Sequence, residues 1–222
     1  MSVIIEVRPG EGGADAEQFA KQLTDAISTY LRRQDRDIQV RPGRTTEIAV
    51  TGIERESLPP LAGTHRIQRI PSNDSSGRRH TSTVTVAILD GAAQPTVELD
   101  ADDLTIQTKR GTGPGGQHRN KTSSAVRIVH KPTGTAVELN RGRSQHSNRI
   151  WAQQELIRRL EAAAARHHAQ TRNGVRSDQI SSGERPARTF TWNQQRAEVL
   201  DHTNGTRHPM PELLRGHLEL LI

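Results

Sequence analysis

The stretch KRGTGPGGQHRNKT, residues 109–122, holds four glycines and one proline and decides the fold of its surroundings. One strand-like run, LTIQTK (104–109), leads into it, and a second, AVRIVH (125–130), leads out of it. This order predicts a loop that projects from a small sheet. Glycine permits positive φ and the close approach of another molecule, so adjacent glycines can direct bare N–H groups at a phosphate or a developing oxyanion. A solvated, glycine-rich hairpin end is the alternative that the composition leaves open.

Positive charge is concentrated around this loop. The 222-residue chain has a formal net charge of +6, yet residues 104–150 hold nine Lys/Arg against one acid, Glu138, which gives a local charge of +8. A basic block of this kind on a folded domain favours a polyanionic partner, and nucleic acid above all. An acidic membrane surface fits less well, because no long apolar or amphipathic anchor accompanies the charges.

The composition bounds the rest of the chain. The hydrophobic fraction is 32% and the aromatic fraction 2%, so the core of its one or two domains must be built mainly from Val, Ile, Leu and Ala. The absence of cysteine excludes disulfides and thiol chemistry and is compatible with a reducing compartment. No signal-peptide pattern and no apolar run approaching about 18 residues occurs, so we expect a soluble, cytoplasmic protein.

The first hundred residues predict a mixed α+β unit. A strand is expected over residues 3–8, a helix over 14–31, and further strands over 37–40 and 46–53. The helix carries apolar residues on one face at spacings of four, four and three, namely Phe19, Leu23, Ile27 and Tyr30.

A basic hairpin is predicted next, over residues 65–89. HRIQRI (65–70) alternates polar or basic residues with Ile, which predicts a strand with one wet, basic face. PSNDSSG (71–77) reads as a polar loop, and TSTVTVAIL (81–89) as the return strand. Six basic side chains flank the loop: His65, Arg66, Arg69, Arg78, Arg79 and His80. A charged, solvated hairpin face and an RNA contact both fit this pattern.

A second domain is predicted after a small, polar and acidic linker, with its boundary near residues 98–103. Strands over 104–109, 125–130 and 135–140 would form its sheet, and a helix from about Ser147 to His168, capped by Ser147 or Asn148, would cover it. The stripe interpreted as the core of this helix is Trp151, Leu156, Ile157, Leu160 and Ala164. Residues 171–187 are polar and rich in helix breakers, which predicts a linker.

Two runs in this half, GGQHRNKTSSAVRIVHKPTG (115–134) and RGRSQHSN (141–148), resemble the catalytic domain of bacterial class I peptide-chain release factors. GTHRIQRIP (63–71) resembles the codon-reading part of the members that decode UAA and UAG. The resemblance implies an α+β fold with a discontinuous codon-recognition α/β sandwich, begun by residues 1–100, and an inserted α+β domain at 101–170. The 188–222 segment would then pack back on the first part. A shortened form, without the N-terminal helical domain of the family, is also implied.

The resemblance assigns Gly115, Gly116 and Gln117 to hydrolysis of the ester between peptide and tRNA in the ribosomal peptidyl-transferase centre. The glycines would let the Gln117 backbone amide point at the reacting centre, where a preorganised N–H donor is worth about 3 kcal/mol. The side chain of Gln117 would help admit water, and it is a candidate for N5-methylation by a glutamine methyltransferase. The residues expected to bind RNA phosphates are Arg119, which stands where the family usually has Val, and Lys121, Arg141 and Arg143.

The residues that the resemblance places opposite the codon are Gln68, Pro71, Ser72, Asn73, His80 and Thr81. An imidazole can stack on a base, and amides and hydroxyls can bind base edges. Asn73 departs from the family, whose tripeptide at this place is Pro-x-Thr, and an amide has fixed donor and acceptor ends where a hydroxyl rotates. Asp15, at the start of the first helix, stands where the family has Glu close to the first codon base.

The sequence therefore predicts a monomeric factor that binds the ribosome, through rRNA, the mRNA stop codon and the P-site peptidyl-tRNA, and triggers peptidyl-tRNA hydrolysis. It is not expected to be an enzyme alone, since rRNA supplies much of the site. No cofactor or metal is expected, because the ten histidines show no paired ligand spacing. A rescue factor for stalled or damaged ribosomes, similar to release factor homologue H, and a basic RNA-binding module without release activity remain as alternatives. A free esterase is disfavoured, because no nucleophile signature is present.

Overall fold

The computed structural model describes residues 2–71, 77–91, 98–111, 121–180 and 188–221. The chain divides into two compact units: residues 1–92 with 171–222 form the first unit, and residues 93–170 form the second unit. Each unit combines a sheet with helical residues, so the α+β class predicted from the sequence is confirmed. Within the described residues, no helix has the length and apolar character needed to cross a bilayer.

The described part of the chain contains eleven strands and three α-helices. The strands are β1 (Ser2–Pro9), β2 (Ile38–Arg41), β3 (Thr46–Thr51), β4 (Gly63–Arg69), β5 (His80–Asp90), β6 (Leu104–Lys109), β7 (Ala125–His130), β8 (Ala136–Leu139), β9 (Phe190–Asn193), β10 (Glu198–Asp201) and β11 (Arg207–Pro209). The helices are α1 (Ala14–Arg33), α2 (Gln145–Gln179) and α3 (Met210–Leu214). The first unit contains an eight-stranded sheet in the order β11-β10-β9-β4-β5-β1-β3-β2, and the second contains the three-stranded sheet β6-β7-β8.

Helix α1 covers one face of the eight-stranded sheet. Gly12 and Gly13, with φ of 127° and 57°, turn the chain after β1, and two acids then stand in the first helical turn, where the helix dipole favours them. The buried side of the helix includes Phe19, Leu23, Ile27 and Leu31. These side chains share one core with strand residues Val3, Ile5, Val7, Val84 and Val86, and each full burial contributes about 1.5–3 kcal/mol. We call this covered face the inner face; the outer face carries the register partners Glu6 and Ala87.

The chain returns to the eight-stranded sheet after the second unit. Strand β9 pairs in parallel with β4, with His65 opposite Phe190 and Gln68 opposite Asn193. Strands β10 and β11 continue the sheet in antiparallel fashion. The C-terminal part of the chain also adds to the core of the first unit, through Phe190, Trp192, Val199, Met210, Leu213, Leu218 and Leu221.

The wet, basic face predicted for the strand over 65–70 is wrong for two of its residues. His65 and Arg69 lie on the inner face and are only 0% and 6% exposed. They are tolerated there because His65 bonds to Trp192 and Leu61, and because Arg69 pairs with Asp15. The local alternation is present, but these partners come from distant parts of the chain, which the pattern cannot reveal.

The second unit packs one helix on its small antiparallel sheet. The apolar residues of α2 that face the sheet are Ala152, Leu156 and Leu160, against Val126, Ile128 and Val137. The predicted core stripe is therefore corrected at Trp151, which is 39% exposed, while Ile157 and Ala164 are half-buried. Ala152, Leu156 and Leu160 are four residues apart and so share the face of α2 that packs on the sheet. Trp151, next to Ala152, points away from the sheet.

Helix α2 begins earlier and ends later than predicted. Ser144 rather than Ser147 or Asn148 caps it, since the Ser144 hydroxyl accepts a bond of 3.4 Å from the backbone N–H of Ser147. The linker predicted over 171–187 is wrong for residues 171–179, which are helical. Within the first unit, this end of α2 is held by side-chain bonds to Glu6 and Ile88. Residues 181–187 lie outside the described part of the chain.

Candidate nucleic-acid interface

The glycine-rich stretch over 109–122 leaves and re-enters the second unit at one end of its sheet. Lys109, the last residue of β6, is the register partner of Ala125, the first residue of β7. The sheet therefore holds the two stems of this connection side by side. The predicted catalytic residues Gly115, Gly116 and Gln117, together with Arg119, lie outside the described residues.

Three predicted RNA contacts emerge at this same end of the sheet. Leu139, the last residue of β8, is paired with Val126 at the start of β7, so the chain that follows β8 leaves beside the stems of the glycine-rich stretch. Arg141 and Arg143 lie in that following segment, and Lys121 lies in the described part of the stretch itself. All three side chains are exposed. The topology thus gathers cations beside the two stems of the glycine-rich stretch.

A buried asparagine of α2 fixes the geometry of this end. The Asn148 amide nitrogen donates to the carbonyl oxygens of Ser124 at 2.8 Å and Gly142 at 2.9 Å, while its oxygen accepts from the Gly142 N–H at 2.8 Å. Asn148 is fully buried, so these bonds satisfy backbone groups that water does not reach. The local sequence pattern predicted only a helix-capping role for Asn148. An asparagine inside a helix is a weak signal that its side chain bonds elsewhere.

The predicted codon-reading end lies in the first unit, on the hairpin of β4 and β5. Gln68 is the register partner of Thr81, which places both on the outer face, and His80 opposes Arg69 on the other face. A pocket of about 480 Å³ lies beside the hairpin stem, lined by Gly12, Arg78, Arg79, His80, Thr81 and Ser82. Pro71 is buried, and Ser72 and Asn73 lie outside the described residues.

Asp15 ties the start of α1 to this hairpin. The Arg69 guanidinium donates to Asp15 Oδ1 at 2.7 Å, and the Ser82 hydroxyl donates to Asp15 Oδ2 at 2.6 Å. Arg69 also donates to Gln22 Oε1 at 2.7 Å. Since Asp15 and Arg69 are both nearly inaccessible, the carboxylate is engaged inside the protein and positions the hairpin.

The segment before α1 lies directly on strand β5. The Thr83 backbone N–H donates to the Glu11 carbonyl at 2.7 Å, and the Gly10 N–H donates to the Thr83 carbonyl at 2.8 Å. A Cβ at Gly12 would lie 2.3 Å from the Ser82 hydroxyl oxygen, so only glycine allows this approach. The helix start and the hairpin stem therefore form one rigid wall of the pocket.

A second basic cluster, which the sequence pattern does not predict, lies on the outer face near Gln68. Arg66 donates to the Thr191 hydroxyl at 3.1 Å, and the Arg188 Nε donates to His202 Nε2 at 3.2 Å. Burial, and then the charges of Arg188 and Arg66, lower the pKa of His202. The ring is thus kept neutral, with Nε2 also accepting from Thr191 at 2.8 Å. Burial and Arg188 likewise lower the pKa of Arg66.

Comparison with known proteins finds matches along the whole chain. Residues 1–86 match the PCRF domain model, and residues 93–203 match the RF-1 domain model. The chain is 38% identical to peptide chain release factor 1 of Gluconacetobacter diazotrophicus, over 98% of this chain, and 38% identical to that of Caldicellulosiruptor bescii, over 100% of it. It spans 65% of the length of both relatives. The solved structure of RF2 of Thermus thermophilus is similar with a TM-score of 0.55 and 32% identity, over 100% of this chain and 66% of that one.

Proposed function

Because the chain belongs to the class I peptide chain release factors of the release factor 1 type, we propose that it binds the ribosomal A site and triggers hydrolysis of peptidyl-tRNA in response to a stop codon. The observation that carries the proposal is the pair of matched domains. The PCRF match includes most of the basic hairpin, and the RF-1 match includes the Gly-Gly-Gln stretch. In this proposal residues 1–100 and 188–222 form the codon-recognition unit, and residues 101–170 form the hydrolysis domain.

At the hydrolysis end, the reacting ester needs an attacking water and a donor for the negative charge that develops on oxygen. We assign the donor to the Gln117 backbone N–H, which Gly115 and Gly116, having no side chains, would leave accessible. The Gln117 side chain, which is neutral and both donates and accepts, would orient the water. No side chain of this chain needs to form a covalent bond, and the ribosomal RNA supplies the rest of the site.

At the codon end, the pocket beside the hairpin includes two of the proposed codon-reading residues, His80 and Thr81, in its lining. His80 can stack on a base, and Gln68 and Thr81, which are register partners, can bind base edges together with Ser72 and Asn73. Asp15 has a positioning role in this proposal, because both of its carboxylate oxygens are already engaged by Arg69 and Ser82.

The partners of the proposed function are the rRNA, the mRNA codon and the P-site peptidyl-tRNA. Lys121, Arg141 and Arg143 would bind rRNA phosphates, which suits their exposure in the second unit. Arg119 would join them as a fourth phosphate contact. We further propose that the protein acts as a monomer in the cytoplasm and that Gln117 is the substrate of a glutamine methyltransferase.

The test is peptide release from purified ribosome complexes that carry UAA, UAG, UGA, a sense codon or no codon in the A site. We expect wild-type protein to release peptide on stop codons and not on the sense codon, and Gly116→Val to abolish release while binding is retained. Gln117→Ala is a partial control, since it keeps the backbone amide. Equal release on every complex, or on complexes without a codon, would reject codon reading and favour a rescue factor, a candidate that Asn73 already supports.

Variants of the hairpin separate codon reading from hydrolysis. Asn73→Thr restores the hydroxyl of the related proteins, and we expect it to change the ratio of release on UAA and UAG to that on UGA without changing the maximal rate. Binding of ribosomes without any release on any complex would point to a basic RNA-binding module instead.

A further inference from the structure

Trp151 is an exposed tryptophan in a chain with few aromatic residues. The chain has two tryptophans, and they differ sharply: Trp192 is 0% exposed in the core of the first unit, whereas Trp151 is 39% exposed on α2 of the second unit. The Arg141 guanidinium carbon lies 5.9 Å from the centre of the Trp151 ring, within the range of a cation–π contact. This exposed indole with a guanidinium beside it differs from a tryptophan that packs in a hydrophobic core, as Trp192 does.

The backbone below the ring is shaped to receive it. A Cβ on Gly142 would lie 2.9 Å and 3.2 Å from two carbons of the Trp151 ring, so glycine is what allows the indole to rest there. The backbone N–H and carbonyl of Gly142 are both held by the buried Asn148, one turn earlier on the same helix. The ring and the glycine therefore occupy fixed relative positions, and the Arg141 guanidinium lies beside them.

The charges around the ring are uncompensated. Lys121, Arg141, Arg143 and Arg149 are exposed residues of the same unit, and none of them forms an ion pair with an acid in the part of the chain that the structure describes. The one acid in the three strands of this sheet, Glu138, is already paired with Lys109 at 2.7 Å. A partner that approaches Trp151 therefore meets positive charge. This charge favours binding of a polyanion over binding of a protein surface that has few acidic residues.

We propose that Trp151 and Arg141 form a stacking site for one unpaired RNA base, with a flanking phosphate bound by Arg143. Aromatic rings among cations are how proteins bind single-stranded nucleic acid, because every base offers a flat π-face and every linkage a negative charge. This inference deepens the proposed function by adding a base contact to the phosphate contacts; it rests on that function only for the identification of the RNA as ribosomal.

The tryptophan itself provides the measurement. Since Trp192 is inaccessible, quenching of emission by RNA reports Trp151 alone. A single-stranded oligoadenylate of about ten nucleotides, within the usual site size for such binding, is titrated into the full chain. We expect saturable quenching in wild type, and about tenfold or greater loss of affinity in Trp151→Ala, measured by anisotropy of labelled RNA. Trp151→Phe should recover part of that loss.

Three further variants test which residues contribute to RNA affinity. Ile150→Ala removes the neighbouring exposed side chain, which is 41% exposed, and should leave the affinity unchanged. Gly142→Ala should displace the ring and weaken binding to an intermediate degree. Arg143→Ala should lower the slope of log affinity against log salt concentration by about 0.7, the single-strand value for one phosphate contact, whereas Trp151→Ala should leave that slope unchanged.

Two results would overturn the stacking site. One is wild-type affinity in Trp151→Ala with its circular dichroism and melting unchanged. The other is equal quenching by poly-glutamate, which carries charge without bases. The same variants are tested in codon-dependent peptide release, so the two proposals can fail separately. Release with no base stacking rejects only the stacking site, and stacking without release on any codon rejects only the proposed function.

Discussion

His65 is the residue whose surroundings differ most from those the sequence suggested. Its ring stacks on Phe190 with centroids 4.8 Å apart, its Nδ1 accepts from the Trp192 indole N–H at 3.1 Å, and its Nε2 lies 2.8 Å from the Leu61 carbonyl. This arrangement requires the neutral ring with its proton on Nε2. Burial lowers the pKa of His65 from 6.5 to about 4, although the Leu61 carbonyl and Asp201 act in the opposite direction.

The buried ring predicts loss of stability in mild acid. Because the folded-state pKa lies below the unfolded value, His65 has its full stabilising effect above pH 6.5, and the effect is lost progressively as pH falls from 6.5 towards 4. Across that window the free energy of unfolding should fall by about 3 kcal/mol from this residue alone. Urea unfolding followed by circular dichroism at several pH values measures it. His65→Gln should be less stable at neutral pH and lack this part of the pH dependence; an equal decline in both proteins would contradict the assignment.

Removal of the polar side chain of Asn148 should lower the stability of the second unit strongly. Asn148→Ala leaves the Gly142 N–H and the carbonyls of Gly142 and Ser124 without their partner, and we expect a loss of about 3 kcal/mol in the second unit. Hydrogen exchange should accelerate at the start of β7 and around Gly142. Gln154→Ala, an exposed position of the same helix, is the control and should change stability by less than about 0.5 kcal/mol. Similar effects from both variants would remove Asn148 from this role.

At the scale of elements, the buried pair of Asp15 and Arg69 joins α1 to the hairpin. Asp15→Ala leaves the Arg69 charge uncompensated at 6% exposure, and we expect a loss of about 3–5 kcal/mol. The exposed pair of Lys109 and Glu138 is the contrast: Glu138→Ala should cost less than about 1 kcal/mol, since water screens both partners. Chemical denaturation of both variants measures the difference. Equal costs would mean that burial of the first pair does not matter.

The last turns of α2 are stabilised by tertiary contacts. Gln179 exchanges two bonds of 2.8 Å with the backbone of Ile88, and Arg176 donates to both Glu6 carboxylate oxygens at 2.7 Å. Gln179→Ala should therefore increase hydrogen exchange over residues 171–180 by about tenfold, the equivalent of about 1.4 kcal/mol, and spare the first half of the helix. Gln170→Ala, which changes an exposed residue of the same helix, should leave the exchange pattern as in wild type. Uniform acceleration along α2 would contradict the local role.

The local sequence pattern predicted most strands and helices well. It failed where contacts with residues far away in the sequence determine the end of an element or the burial of a side chain. Strands 104–109 and 125–130 were predicted with the bounds that are observed, because their alternation and flanking breakers suffice. The end of α2 was missed, because Glu6 lies 170 residues before Arg176 and leaves no trace in the local composition. Trp151 was assigned to the core as part of an apolar stripe, whereas the residue that packs on the sheet is the adjacent Ala152. Of the candidate sites, the cations of the second unit could be predicted, but the cluster of Arg66, Arg188 and His202 could not.

At the scale of the whole molecule, charge predicts the salt dependence of ribosome binding. A combined Lys121→Ala, Arg141→Ala and Arg143→Ala variant should lower the slope of log affinity against log salt by about 2, if each cation binds one phosphate. The matched control changes three exposed arginines that each have an acidic partner: Arg158, Arg207 and Arg215. That control has the same change in net charge and should keep the wild-type slope. Equal slopes in all three proteins would show that total charge, rather than these positions, governs binding.

The parallel pairing of β4 with β9 has a consequence for how the protein is made. His65 pairs with Phe190, which is 125 positions later in the sequence, so the eight-stranded sheet cannot be completed until the end of the chain has been synthesised. The contacts within the second unit span far fewer residues, and that unit can fold while the nascent chain is still growing. Until β9 arrives, one edge of β4 has no neighbour, and an unpaired strand edge invites association with other chains. Early termination before residue 190 should thus yield a folded second unit attached to an aggregation-prone first one.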